Sequence, residues 1–313
     1  MLVVSHAADL APNPLGFSAA LGMFDGVHLG HQQLIEHAVQ EAAATGTTSV
    51  VITFEPHPQF IIQPDRVPLR IQTPEHRLRT LENLGVGAVL VHPFTPEFSR
   101  MSGEDYLRSL ATDAAPLRSL CVGLGFHFGH QRSGDTGLMQ HLGRELGFSV
   151  TVIPPVLVDG EPVSSSRVRN RLRVGDFAAV ESLLGRPYCL ESTVVHGDQL
   201  GRRIGFPTAN LQVDGLELPP HGVYAVQVGW RGILRPGVLN LGRRPTLNQP
   251  EPTLRLEVHL LDADENLYGE TLSIRWMKKL RDEQRFPDLA SLKAQIQRDV
   301  TDARQALGIA PAP

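Results

Sequence analysis

The sequence predicts two domains of different class: an α/β domain built on a parallel sheet, then a small all-β domain closed by one C-terminal helix. Three observations carry this. In the first half, apolar or β-branched runs at 18–24, 47–54, 88–94, 119–126 and 148–154 alternate with segments of helical spacing, and strands joined by helical crossovers lie parallel. Beyond about residue 187 the helical spacers vanish, and six strand-like runs follow at 188–197, 208–213, 222–230, 232–242, 254–264 and 270–281. The length, 313 residues, is that of about two ordinary domains. The boundary falls between 184 and 185, giving domains 1–184 and 185–313.

Each element has its own signal. Leu34, Ile35, Ala38, Val39 and Ala42 fall on one face of the first helix. The second opens at Thr73-Pro74-Glu75, with proline at the first helical position, and closes at Gly85. Ser102 is the N-cap of a third. In the second half, Gly197-Asp198, Pro219-Pro220 and Asp264-Glu265-Asn266 break the strands. Short successive strands without helices form a closed antiparallel barrel or a sandwich. In the last helix Leu289, Leu292, Ile296, Val300 and Leu307 make an apolar stripe expected to pack on the β domain. Residues 310–313 read as a frayed end.

Composition narrows the function. An apolar fraction of 42% and a charged fraction of 20% are those of a soluble globular protein. The net charge of −4, from 29 Lys and Arg against 33 Asp and Glu, argues against a nucleic-acid partner. No apolar run approaches the roughly 18 residues of a membrane span, and Met1–Gly16 lacks the basic start of a signal peptide. Cys121 and Cys189 lie in apolar stretches without metal spacing, as expected of thiols in a reducing compartment. The expectation is a cytoplasmic protein with no nucleic-acid or membrane partner. Nothing in the sequence sets an oligomeric state.

The sharpest local feature is Leu21-Gly22-Met23-Phe24-Asp25-Gly26-Val27-His28-Leu29-Gly30-His31, between the first strand and the first helix. Gly22, Gly26 and Gly30 permit tight turns and close approach of a ligand. At a helix N-terminus, free N–H groups and the helix dipole attract phosphate, and His28 and His31 add donors there. Group transfer between phosphates depends mainly on such positioning and electrostatics. Two surface or metal-ligating histidines are the alternative, which the three bracketing glycines disfavour. A second string, Ser164-Ser165-Ser166-Arg167-Val168-Arg169, offers serines that cap a helix or bind phosphate oxygens. Val168 and Leu172 are expected to pack inward. Arg171 and Arg173 read as a solvated face, and Arg169 as a phosphate clamp.

Together these strings resemble the HxGH nucleotidyltransferases. The fuller string Phe24–His31, with Thr53-Phe54-Glu55-Pro56-His57-Pro58, is similar to the FMN adenylyltransferase module of bacterial FAD synthetases. The resemblance implies that His28 and His31 contact ATP phosphates and that Arg169 stabilises them from the opposite side. It places Gly22, Phe24, Asp25, Gly30, Ser165 and Ser166 around the nucleotide, and Pro56, His57 and Pro58 beside nucleotide and flavin. One departure stands out in Gly123-Leu124-Gly125-Phe126-His127-Phe128-Gly129. The family usually carries Asp or Asn where Gly125 stands, and arginine is common at His127.

In the second half, Gly197–Asn210 is glycine-rich but lacks the Gly-Lys-Ser/Thr ending of the common phosphate loop. Its glycines expose N–H groups, and Thr208 and Asn210 offer oxygens suited to magnesium; taken alone, it reads better as a structural turn. In 254–260, Leu254, Leu256, Val258 and Leu260 face one side, and Arg255, Glu257 and His259 the other. Glu257 is there either a solvated strand residue or a general base. The ordered series Gly197–Asn210, Gly222-Val223-Tyr224, 240–246 and Glu257–Gly269 resembles the riboflavin kinase barrel. This implies a closed barrel, Thr208 and Asn210 on Mg-ATP, Gly201 and Arg202 at the nucleotide, and Glu257 as the base activating the ribityl hydroxyl. Arg281 and Phe286 would lie on the flavin side. The two resemblances imply a bacterial bifunctional enzyme of flavin cofactor synthesis, with riboflavin, FMN and ATP as substrates and Mg2+ as cofactor. The alternative is a kinase whose N-terminal half binds nucleotide or flavin with little turnover.

Overall fold

β-branched and apolar runs in the first half become six parallel strands: β1 (Leu2–Val4), β2 (Phe17–Leu21), β3 (Thr48–Glu55), β4 (Ala88–Pro93), β5 (Leu117–Gly123) and β6 (Ser149–Ile153), in the order β1-β4-β3-β2-β5-β6. The computed structural model describes the chain except residues 11–12, 113–115, 198–200, 202–203, 245–252, 263–264 and 311–313, with backbone only at 243, 244 and 253. Every residue of β2 is buried. Its side chains alternate between two cores, Phe17, Ala19 and Leu21 on one face and Ala20 on the other. Leu34, Ile35 and Ala38 of α1 (Leu29–Thr45) cover the second face. The first face packs on Tyr106, Leu107 and Leu110 of α4 (Gly103–Thr112), and on Met139 and Leu142 of α5 (Thr136–Leu146). Helices on both faces make the Rossmann-like arrangement expected.

Strand order reverses at β2, with β3 and β4 on one side and β5 on the other. In open parallel sheets ligands bind at such a reversal, beyond the carboxyl ends of the strands. The loops leaving β2 and β5 therefore face one another across it. Further elements are α2 (Pro58–Ile62), α3 (Pro74–Asn83), the two-strand hairpin β7 (Leu157–Val158) and β8 (Glu161–Pro162), α6 (Ser165–Arg173) and α7 (Phe177–Leu184). Ser102 caps α4 as expected, its Oγ accepting from Asp105 N at 3.1 Å. The sequence reading omitted β1, α2, α5, α7 and the hairpin.

The later strands close into an antiparallel barrel, which settles the choice between barrel and sandwich. They are β9 (Cys189–Val195), β10 (Ala209–Leu211), β11 (Gly222–Trp230), β12 (Ile233–Arg244), β13 (Thr253–Leu260) and β14 (Thr271–Arg281), in the order β10-β13-β12-β11-β14-β9. Tyr224, Val226, Val228, Leu239, Leu241, Leu256, Val258, Leu272 and Ile274 are buried. The last helix, α8 (Leu289–Ala306), is capped by Asp288, which accepts from Ser291 N at 2.7 Å. Val300 and Ala303 of α8, with Ile296 and Leu307, pack against Val223, Ala225, Val238 and Leu261. Leu289 departs from the expected stripe and is exposed.

The chain divides into two compact units, Met1–Leu69 with Pro74–Val168, and Arg70–Thr73 with Arg169–Pro313. Residues 70–73 join the second because Arg70 N donates to the Gly215 carbonyl at 2.8 Å and Glu217 N to the Arg70 carbonyl at 2.7 Å. In the second unit, Phe177 of α7 packs on Tyr224 and Trp276 of the barrel.

Val168 and Leu172 are fully buried, as expected. Arg173 is exposed, as expected of a solvated face, but it also has a partner that the sequence did not indicate. Its guanidinium donates to both carboxylate oxygens of Glu217, at 3.0 and 2.6 Å, and the Glu217 side chain is only 5% exposed. A buried carboxylate requires such a partner. Arg171 remains on the surface, 3.6 Å from Asp176. Arg173→Ala is expected to destabilise by about 1–2 kcal/mol, less than for a fully buried pair because half of the Arg173 side chain is exposed. Arg171→Ala should change stability by less than about 0.5 kcal/mol. Denaturation followed by the fluorescence of Trp230 and Trp276, both in the barrel, measures the difference.

Candidate functional site

The loop from β2 to α1 is held by its carbonyls. Thr53 Oγ1 and Arg77 Nη1 both donate to the Met23 carbonyl at 3.2 Å. Ser165 Oγ donates to the Asp25 carbonyl at 2.9 Å, and Gln32 Nε2 to the Val27 carbonyl at 2.8 Å. These donors come from β3, α3, α6 and α1 in turn. Between them the backbone takes positive φ at Phe24 (53°), Gly26 (79°) and Val27 (41°). For a β-branched residue such as Val27 this is a strained conformation, costing on the order of 1–3 kcal/mol and tolerated where surrounding contacts over-determine it.

That loop sets the two histidines. His28 is the N-cap of α1, its Nδ1 accepting from His31 N at 3.3 Å, so Nδ1 is unprotonated and the imidazole proton sits on Nε2. The His28 and His31 rings stack with centroids 3.7 Å apart and planes 17° apart. Fully buried Phe24 meets His31 edge-on at 5.2 Å. Gly22 and Gly30 leave room for these rings. A Cβ on Gly22 would lie 3.2 Å from the Phe24 ring, and one on Gly30 3.3 Å from the His28 ring. Asp25 is buried, its carbonyl taken by Ser165. Ser164 Oγ accepts from Arg167 N at 3.2 Å, so the cap role belongs to Ser164; Ser166 is exposed in the first turn of α6. Arg169, one turn further along, is buried.

Beside the loop lies a cavity of about 470 Å³, between Gly22, Met23, Pro58, Phe54, Phe94, Phe98, Tyr106, Phe126 and Phe128, with the turn at 127–132. An aromatic slot of this kind takes a flat ring system. Of the expected flavin residues Pro58 lines it. His57 caps α2, its Nδ1 accepting from Gln59 N at 3.2 Å, and Pro56 follows a cis bond from Glu55. The aromatic wall went unread in the sequence, because its members come from β3, the segment after β4, α4 and the loop after β5, which only the fold brings together. Gly125 sits in the turn after β5 with φ +76° and open space where a Cβ would stand; its carbonyl receives His127 Nδ1 at 2.8 Å.

In the barrel, Glu257 of β13 is paired in register with Asn210 of β10 on one side and Asn240 of β12 on the other. Directly paired residues share a face, so the three polar side chains form one row. A cavity of about 290 Å³ is lined by Gly201, Thr208, Asn210, Asn240, Glu257, His259, Arg281, Phe286 and Asp299. It gathers six expected residues: Gly201, Thr208, Asn210, Glu257, Arg281 and Phe286. Arg202 lies outside the described residues. Neutral oxygens from Thr208 and Asn210 fit a magnesium ion that keeps phosphate and water among its ligands. Gly197 leaves space for this arrangement, since a Cβ there would lie 2.3 Å from the Asn210 amide. Among the described residues no cluster of His, Cys, Asp and Glu could hold a metal by itself.

Arg281 donates to both oxygens of buried Asp299, at 2.8 and 2.6 Å, and stands 5.9 Å from the Phe286 ring. Arg255 approaches Glu257 to 4.0 Å. Burial holds the His259 imidazole below its ordinary pKa, against the pull of the Pro207 carbonyl. Asn240, His259 and Asp299 were not singled out as site residues in the sequence. Strand alternation placed His259 on the Glu257 face and so held a signal for it; Asn240 and Asp299 needed the barrel register and the docking of α8.

Comparison with known proteins covers nearly the whole chain. A family model described as FAD synthetase matches residues 11–167, and one described as riboflavin kinase matches 184–307. The chain is 39% identical over 304 residues to a bifunctional riboflavin kinase/FMN adenylyltransferase of Pseudomonas fluorescens, covering 97% of each. It is 39% identical over 305 residues to that of Escherichia coli K12, covering 97% of this chain and 96% of the relative. The protein of the same description from Bacillus subtilis 168 is 35% identical over 289 residues, covering 91% and 90%. The crystal structure of a Streptococcus pneumoniae protein described as a macrolide-efflux protein superposes with a TM-score of 0.80 at 27% identity, covering 97% of this chain and 99% of that one. Among the described residues of this chain, no helix is long and apolar enough to cross a membrane.

His92, at the end of β4, stacks on Phe54 and Phe98 behind the aromatic slot. Burial, with a smaller contribution from His6, lowers its pKa from 6.5 to about 4. The unfolded chain therefore binds a proton at this residue below about 6.5 that the folded chain refuses until about 4. Stability is expected to fall as pH drops through that window, by up to about 3 kcal/mol from this residue. His92→Phe should flatten that part of the stability profile, read by denaturation at several pH values between 4 and 7.

Proposed function

We propose a division of labour for a chain that belongs to the bacterial bifunctional riboflavin kinase/FMN adenylyltransferase family. The protein is a transferase that phosphorylates riboflavin to FMN and adenylylates FMN to FAD. Our reading gives adenylylation to residues 1–184 and phosphorylation to 185–313, with ATP as co-substrate in both, Mg2+ as cofactor and the cytoplasm as location. The free cysteines Cys121 and Cys189 fit that compartment. The observation that carries the division is that each half has its own cavity lined by residues expected for its reaction.

In adenylylation a phosphate oxygen of FMN attacks the α-phosphorus of ATP and pyrophosphate leaves. No protein nucleophile is needed; the protein orients the phosphates and stabilises the charge that gathers on them. His28 sits at the N-terminus of α1 with its Nδ1 engaged by His31 N, so the ring is held in one orientation. His31, Arg169, Ser165, Ser166 and the α1 N-terminus complete the set in this reading, with Gly22, Phe24, Asp25 and Gly30 shaping it. The aromatic slot takes the isoalloxazine, with Pro56, His57 and Pro58 at its side. Tyr106 Oη, buried on its wall with no hydrogen-bond partner among the described residues, supports a ligand with polar edges there.

In phosphorylation the terminal ribityl hydroxyl attacks the γ-phosphorus and ADP leaves. Glu257 takes the hydroxyl proton, with Asn210 and Asn240 beside it. Thr208 and Asn210 would hold the magnesium, which would supply neutralisation of the phosphate charge when bound. Gly201 and Arg202 serve the nucleotide, and Arg281 with Phe286 the flavin side. Arg281 acts from a fixed position, since Asp299 holds its guanidinium.

Reciprocal variants test the assignment. His31→Ala is expected to slow FAD formation by about 10²–10³ and to leave FMN formation intact. Glu257→Gln should slow FMN formation by roughly 10²–10⁴ while supplied FMN is still adenylylated. Chromatography of FMN and FAD formed from riboflavin, ATP and magnesium reads both; equal loss of both activities in either folded variant sinks the division. Gly125→Asn is expected to raise the adenylylation rate or lower KM for ATP or FMN at constant kinase rate. The left-handed backbone and open space at 125 suit Asn better than other side chains, most of which add about 1 kcal/mol of strain or more. If Asn slows adenylylation and His127→Ala abolishes it, His127 has the contact instead.

A further inference from the structure

β10 carries Asn210 and follows Thr208, yet it is short for the task of fixing them. It pairs with β13 only at Ala209↔Val258, Asn210↔Glu257 and Leu211↔Leu256. Thr208 lies one residue outside that ladder. The residue before it, Pro207, has no N–H to extend the pairing, so its carbonyl is what β13 has left to grip. His259 grips it, with Nδ1 2.7 Å from the Pro207 oxygen. A carbonyl only accepts, so Nδ1 carries the proton. Phe206 meets the same imidazole edge-on, with centroids 5.6 Å and planes 84° apart. Both of these contacts are with the chain entering β10.

We propose that His259 is a positioning residue of the kinase site, holding the Pro207 carbonyl so that Thr208 and Asn210 meet the phosphate and metal end of the nucleotide in place. This rests on the assignment of Thr208 and Asn210 to Mg-ATP made above. His259 and Glu257 stand two residues apart on one face of β13. One strand therefore carries the base and also sets the groups that hold the phosphates, which keeps hydroxyl activation and phosphate placement in step.

The test uses the full chain. His259→Phe keeps a ring against Phe206 and removes the donor. His259→Asn sets an amide N–H near the place of Nδ1, and His259→Gln reaches past it. Mg-ATP affinity is measured by calorimetry without riboflavin, KM for ATP and kcat are measured separately, and adenylylation of supplied FMN serves as the folding control. The Phe and Gln variants should weaken Mg-ATP binding about tenfold, the worth of one neutral hydrogen bond, and raise KM by a similar factor with little change in kcat. The Asn variant should recover most of the affinity. Wild-type affinity in the Phe variant overturns the proposal. So does equal loss in the Phe and Asn variants, which makes ring packing the cause, or loss of kcat at unchanged affinity, which makes the imidazole a proton carrier. Thr208→Ala is the reference: if it leaves Mg-ATP binding intact, the underlying assignment fails; if it weakens binding while His259→Phe does not, only the positioning role fails.

Discussion

The loop from β2 to α1 depends on the carbonyls of Met23, Asp25 and Val27 being held by side chains from β3, α3, α6 and α1. A loop with positive φ at Phe24, Gly26 and Val27 relaxes unless something prevents it. Here each restraint comes from a different element, so the conformation persists only when the whole half is folded. Its product is the His28–His31 stack. In the role proposed for them, preorganised donors of this kind would stabilise developing charge without rearranging during the reaction.

The barrel reaches the same end by register. Asn210, Glu257 and Asn240 are adjacent because three strands pair, and no loop has to find its place. Around this row, ion pairs lock what strands cannot: Asp299 fixes Arg281 from α8. Gly242 performs a quieter service. It leaves the space that the Glu283 carboxylate occupies, which a Cβ there would push aside.

The sequence carried the two fold classes, most strand positions and the site strings, because periodicity and capping are local signals. It read Glu257 correctly onto the polar face of β13 for the same reason. It placed Arg173 on an exposed face but did not show its partner, Glu217, which is 44 residues away and is buried only once the second unit forms. β1 escaped because three residues show no period. The aromatic slot escaped because Phe54, Phe98, Tyr106 and Phe128 each look like ordinary core residues in their own segments. Gly125 was legible as a departure, but its left-handed backbone and the His127 contact were not.

The row Asn210–Glu257–Asn240 also governs how such a chain can change length over evolutionary time. Because side chains alternate along a strand, losing or gaining one residue inside β13 would turn Glu257 into the apolar interior and drive Leu256 and Val258 outward. Indels are therefore excluded from β13 itself and pushed into the connections on either side. When lineages of this barrel are aligned, a gap placed within 253–260 would, on the role proposed for Glu257, remove the base from the kinase site, whereas a gap outside it would not.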